Sequence, residues 1–263
     1  MKWFEIALVV LTFATGIIWL LDRLLFARRR REAAGLLEEK EPLVVDYARA
    51  FFPVLFVVLI LRSFVAEPFR IPSSSMMPTL LIGDFILVNK FTYGIRLPIN
   101  NRKVIALGEP QRGDVAVFRP PHHPDQDWIK RVVGLPGDLV AFEGDTLYIN
   151  GERLDYQLLG QYEGRGRGRD MTGVAVLREA LGDRPHDVLE STGVHDPRGQ
   201  GEWRVPEGHY FVMGDNRDRS DDSRFWGTLP ESQLRGKAFL VWMNFDSSAP
   251  GWVDWSRIGK GIQ

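Results

Sequence analysis

The sequence predicts a mainly β protein, carried on two N-terminal transmembrane helices. Three observations point there. Long apolar stretches are confined to the first 65 or so residues, an arginine cluster separates them, and everything beyond breaks into short apolar runs between glycines and prolines. The expected layout is a first transmembrane helix over 1–27, a basic loop over 28–45 and a second helix over 46–66. An antiparallel β-sheet domain over 67–137 and 210–250 follows, interrupted by a smaller β-rich domain inserted over 138–209.

The first helix rests on IALVVLTFATGIIWLL, Ile6 to Leu21, which is uncharged and continues through Asp22 and Arg23 into LLFA. With Trp3 and Trp19 as interface anchors it is long enough for the ~30 Å of hydrocarbon. A cleavable signal peptide would place its positive charge before the apolar run. Here Lys2 alone precedes it and the basic cluster follows, which favours an anchor.

The second helix rests on AFFPVLFVVLIL, Ala50 to Leu61, between Arg49 and Arg62. Alone it is short. Snorkelling arginines and the flanking Val44, Val45, Phe64 and Val65 lengthen it, and Pro53 is tolerable near a helix end. The intervening RRRREAAGLLEEKE holds four of the cluster's five arginines, Arg28 to Arg31, after Arg23. Positive loops stay cytoplasmic, so the sequence predicts that everything beyond residue 66 faces outward.

The outer portion reads as strands because DFILVNKF, DVAVF, DLVAF, TLYIN, YFVMG and AFLVWM are short, β-rich and bounded by turn residues. Asn150-Gly151, after TLYIN and before ERL, suits a two-residue hairpin turn. Val174 to Leu181 is the one later stretch read as a short helix. Gly160 to Gly201, rich in Gly, Arg and Asp, is expected to be a surface insertion with long loops.

Composition narrows the chemistry. Net charge is −1 over 263 residues, which gives no concentrated basic surface and no reason to expect nucleic acid. With no cysteine, disulfides, thiol catalysis and Cys-ligated zinc are excluded. The five histidines show no ligand spacing, so no metal or other cofactor is expected.

Directly after the second helix comes FRIPSSSMMPTLLIGD. Serines between two prolines fit a rigid turn as well as a catalytic one, and a serine needs a base to become a nucleophile. No GxSxG elbow exists, and the histidines stand in polar surroundings. A neutral lysine is the other solution, and it requires apolar flanks that desolvate the ammonium. Lys130 in WIKRVVGLPGD meets that need: strand alternation puts it on one face with Trp128 and Val132. Lys90 in LVNKF is the nearest rival. A third segment, YFVMGDNRDRSDDSRFWG, packs alternating charge behind an apolar strand. As a calcium loop it would need an acid where Leu229 stands, so ion pairing such as Asp222 with Arg224 is the better reading.

Taken together, PSSSMMPTL, KRVVGLPGD and GDNRDRSDDSRFWG resemble the three motifs of the bacterial type I signal peptidases, in that family's order and behind its two anchors. The resemblance covers most of residues 66–245. It implies a signal-peptidase-type catalytic β-domain and a serine endopeptidase that cleaves N-terminal signal peptides from exported preproteins. It also implies residence in the bacterial inner membrane with the catalytic domain on the periplasmic face. Membrane lipids and the secretion translocon are the further partners.

Residue by residue, the resemblance makes Ser75 the nucleophile and Lys130 the general base. The hydroxyl of Ser73 and the amide of Ser75 form the oxyanion hole, and Ser220 orients the lysine. Arg131, Asp215, Asp222 and Arg224 are structural ion-pair positions. Phe69, Ile71 and Ile129 line pockets for small P1 and P3 side chains. Ser74 stands where many members have glycine, and the disulfide of some members is missing. Because Ser75 lies fourteen residues beyond Leu61, the site is expected near the bilayer.

Two other readings fit less well. A self-cleaving repressor-type protease shares the chemistry but carries a DNA-binding domain in place of the spans. A membrane-anchored peptide-binding protein without catalysis would lack the serine or the lysine, and both are present.

Overall fold

A computed structural model describes residues 2–34, 41–191, 197–249 and 251–263. Residues 35–40 of the basic loop and 192–196 of the glycine-rich segment lie outside the described residues. The chain divides into two compact units, one of residues 1–65 and 96–102, the other of 66–95 and 103–263.

The first unit is helical. Helix α1 (Lys2–Leu21) passes through a π-turn at Asp22–Phe26 into α2 (Ala27–Ala34), and α3 (Leu43–Ile60) ends in a second π-turn at Leu61–Val65. Two continuous helical stretches, Trp3–Arg30 and Leu43–Val65, are long and apolar enough to cross a membrane. Helix α1 packs against α3 where Trp19 meets Phe52, ring centroids 5.6 Å apart. A Cβ on Gly16 would stand 2.6 Å from the Phe52 ring, so glycine there permits the approach. Around this seam Phe13, Val54 and Leu24 point outward, a surface suited to lipid rather than water.

The second unit is built on one antiparallel sheet. Its strands are β1 (Ala66–Arg70), β2 (Asp84–Asn89), β3 (Val115–Phe118), β4 (Trp128–Gly134), β12 (His209–Met213), β13 (Leu229–Pro230), β14 (Leu234–Asn244) and β15 (Lys260–Gly261). Their order is β1-β2-β14-β3-β4-β12-β13, with β15 also paired to β14. Strands β3, β4 and β12 carry apolar residues on both faces, and Val115, Val117, Ile129, Val132, Val133 and Phe211 are all buried. The sheet therefore carries core on both sides.

Between β4 and β12 lie two smaller sheets. One joins β5 (Leu139–Glu143), β6 (Thr146–Ile149), β7 (Glu152–Arg153) and β11 (Gly201–Arg204); the other joins β8 (Tyr156–Gln161), β9 (Ala175–Glu179) and β10 (His186–Glu190). Asn150 and Gly151 both take positive φ, 54° and 82°, as the hairpin between β6 and β7 requires. The 174–181 stretch corrects the sequence expectation. It holds strand β9 and no helix, because Ala175 to Glu179 pairs with β8 on one side and β10 on the other. The expected loop-rich insertion is likewise more ordered than its composition suggests, since Met171 and Leu189 close over Met77 in a small core of their own.

Candidate active site

The serine turn and the lysine strand meet although 55 residues separate them. Ser75 sits in the turn that leaves β1, and Lys130 sits near the start of β4 with its side chain on the Trp128 face. The Lys130 ammonium nitrogen lies 2.6 Å from Ser75 Oγ and 5.7 Å from the Trp128 ring centroid. Ser75 is 6% exposed and Lys130 4%. Lys90, the rival, is instead tied to Glu67 at 2.9 Å.

Burial is what lowers the lysine. Loss of solvation pushes its pKa down to about 8, against the upward pull of the Asp222, Asp221 and Asp215 carboxylates and with a small further push from Arg224. An ordinary surface lysine would hold its proton near 10.4.

Ser73 is exposed, and its Oγ stands 3.4 Å from Ser75 Oγ. The Ser75 amide donates to no protein acceptor among the described residues. Ser220 is buried against the site, so close to Gly214 that a Cβ there would fall 2.2 Å from Ser220 Oγ and 2.5 Å from the Ser75 carbonyl oxygen. Among the described residues Ser220 Oγ reaches no partner in hydrogen-bond geometry, Lys130 included. Its electrostatic contact is with Asp222, whose carboxylate it helps to stabilise.

The two ion-pair positions are filled as pairs. Arg131 donates from Nε to one Asp215 oxygen at 2.8 Å and from Nη2 to the other at 2.7 Å. Asp222 accepts from Arg224 Nε at 2.9 Å and from Nη2 at 3.0 Å, and also from the Gly214 amide at 3.0 Å. Burial alone would raise both carboxyls, yet their arginines hold them below the usual carboxylate range. Ile71 and Ile129 are buried in one apolar cluster with Met76 and Leu80, and Phe69 packs partly buried against it.

Three participants escaped the sequence reading. Thr79 donates its hydroxyl to Asp215 Oδ2 at 2.5 Å and accepts from Arg131 at 3.3 Å. Gly214 supplies the close approach described above, and Asn216 bonds both carbonyls that flank the Ser75 Cα. The signal available for the last two was their place inside the GDN run, which the reading treated only as charge.

A buried lysine amine against a serine hydroxyl, in a chain carrying two membrane-length helices, can be set beside known proteins. A family model described as signal peptidase, peptidase S26, matches residues 44–243. The chain belongs to that family. Among its relatives, the signal peptidase I of Pseudomonas fluorescens is 46% identical over 282 residues, covering 97% of this chain and 98% of its own. That of Pseudomonas aeruginosa is 45% identical with the same coverage. That of Haemophilus influenzae is 35% identical over 307 residues, covering 95% and 88%. Membership in the S26 family makes the chain a serine endopeptidase.

Proposed function

We propose that this S26 peptidase cleaves N-terminal signal peptides from exported preproteins, with Ser75 as nucleophile and Lys130 as general base. The observation that carries the reading is the 2.6 Å contact between Ser75 Oγ and a lysine amine whose pKa burial brings to about 8. At pH 7 about one such amine in ten is neutral, against fewer than one in a thousand for a solvated lysine.

In the proposed cycle neutral Lys130 takes the Ser75 proton as the oxygen attacks the scissile carbonyl. The resulting ammonium returns that proton to the leaving amine, and the ester left on Ser75 is hydrolysed by a water that Lys130 activates in turn. Negative charge on the tetrahedral oxygen is met by the Ser75 amide and the Ser73 hydroxyl, each such donor worth ~3–4 kcal/mol. Phe69, Ile71 and Ile129 form the apolar surface for small P1 and P3 side chains. Ser220, buried beside Gly214 with Asp222 next to it, is assigned to orient the lysine. Arg131, Asp215 and Arg224 hold the backbone around the dyad.

The arginine cluster between the helices supports a cytoplasmic loop, with residues 67–137 and 210–250 on the outer face of the inner membrane and 138–209 as an inserted β-rich part. Membrane lipids and the secretion machinery that delivers preproteins are its surroundings.

The test is incubation of the purified chain with an exported precursor and mass mapping of the products. Cleavage at one site after a small residue, abolished by Ser75→Ala, is expected. Unchanged cleavage by Ser75→Ala refutes the assignment.

A further inference from the structure

The proposed oxyanion hole depends on where one backbone amide points, and a single side chain controls that peptide. Asn216 is fully buried. Its Nδ2 donates to the carbonyl oxygen of Ser74 at 3.1 Å, and its backbone N–H donates to the carbonyl oxygen of Ser75 at 3.1 Å. Those carbonyls belong to the two peptide planes on either side of the Ser75 Cα.

Planarity gives the first bond its meaning. The Ser74 carbonyl and the Ser75 N–H share one rigid trans peptide, so they point in opposite directions. Holding the oxygen on one side fixes the N–H on the other. Only an N–H can face a carbonyl oxygen, so the orientation of the Asn216 amide follows from its partner. Its Oδ1 is buried and meets no hydrogen-bond donor among the described residues. The site thus keeps an amide whose only side-chain bond among the described residues is the one to Ser74, at the expense of an orphaned oxygen.

We propose that Asn216 is a positioning residue that aims the Ser75 amide at the oxyanion. The inference rests on the reading of Ser75 as nucleophile given above. The Ser74 oxygen also accepts from the Met77 amide at 3.1 Å. Removing the side chain therefore loosens the plane without freeing it, and leaves the carbonyl satisfied. The second plane is held by the backbone of Asn216, which no substitution removes. The Ser75 hydroxyl and Lys130 should then stay in place while the amide drifts.

The experiment uses the full chain in detergent with a signal-peptide substrate, comparing Asn216→Asp and Asn216→Ala with the parent. The aspartate keeps the volume and turns the donor into an acceptor facing a carbonyl. Expected are a kcat about ten- to a hundred-fold lower and a KM within about twofold, short of the 10²–10³ typical for losing an oxyanion donor outright. In Asn216→Ala, which adds no charge, the ionisation in the kcat/KM profile should not move, because Lys130 keeps its surroundings, and the thermal midpoint should hold in at least one variant. A kcat within twofold of the parent overturns the inference. So does a kcat loss that tracks a fall in thermal midpoint in both variants, or a displaced pH profile in Asn216→Ala. Ser75→Ala separates the layers: if it is inactive while both Asn216 variants keep the parental kcat, only this inference fails. If Ser75→Ala cleaves normally, the reading beneath it fails as well.

Discussion

Arg131 grips both carboxylate oxygens of Asp215, and each side chain is 1% exposed. The same guanidinium also donates 2.8 Å bonds to the carbonyls of Gly113 and Gln263, so it ties the strand beside Lys130 to two distant stretches of chain. Arg131→Ala strands a buried carboxylate and should cost about 3–5 kcal/mol of stability. An apolar pair, Arg131→Met with Asp215→Leu, should recover most of it. Denaturant unfolding of the three proteins checks this, and an Arg131→Ala protein as stable as the parent contradicts it.

Lys130 is expected to be a stability defect retained for chemistry. Its folded pKa, about 8, lies below the unfolded value near 10.5. Between those values the unfolded chain binds more protons, so stability rises with pH across that window, and the full penalty is present below pH 8. Lys130→Met should therefore raise stability at pH 7 by about 1–3 kcal/mol, allowing for the lost bond to Ser75, and abolish cleavage. The advantage should shrink by pH 10. A variant less stable than the parent at pH 7, in thermal melts across that range, refutes the argument.

The sequence made the dyad legible because its chemistry demands an unusual neighbourhood: a lysine between Trp128, Ile129 and Val132 stands out from lysines among polar residues. The two membrane-length helices, the hairpin turn and the β class were readable from periodicity and turn chemistry for the same reason, each being local. Asn216 and Thr79 were not, since their roles exist only where the GDN loop, the serine turn and β4 converge. Strand β9 was misread because a short mixed segment such as AVLRE takes its state from its partners, here β8 and β10, rather than from its own pattern. Ser220 showed as a site residue by resemblance, but its contact with Asp222 instead of Lys130 is a matter of side-chain geometry that sequence does not carry.

Gly214 should not tolerate even one methyl. A Cβ would stand 2.2 Å from Ser220 Oγ and 2.5 Å from the Ser75 carbonyl oxygen, the latter backbone that cannot step aside without moving the nucleophile. Gly214→Ala is expected to lower kcat by about a hundredfold or more, as displacements near 1 Å do. Adding Ser220→Gly relieves only the side-chain clash and also removes the residue assigned to orient Lys130, so activity should stay low. Restoration by the double variant would show that the backbone contact is harmless.

Lys130 can serve as the proposed base only because burial lowers its pKa, and the pH dependence of kcat/KM with a soluble signal-peptide substrate tests this most directly. Activity should rise with pH on a single ionisation near 8, the free enzyme's Lys130, and level off above it. A rise that continues to pH 10.5, as for a solvated amine, or an ionisation that survives unchanged in an active Lys130→Met variant, contradicts it.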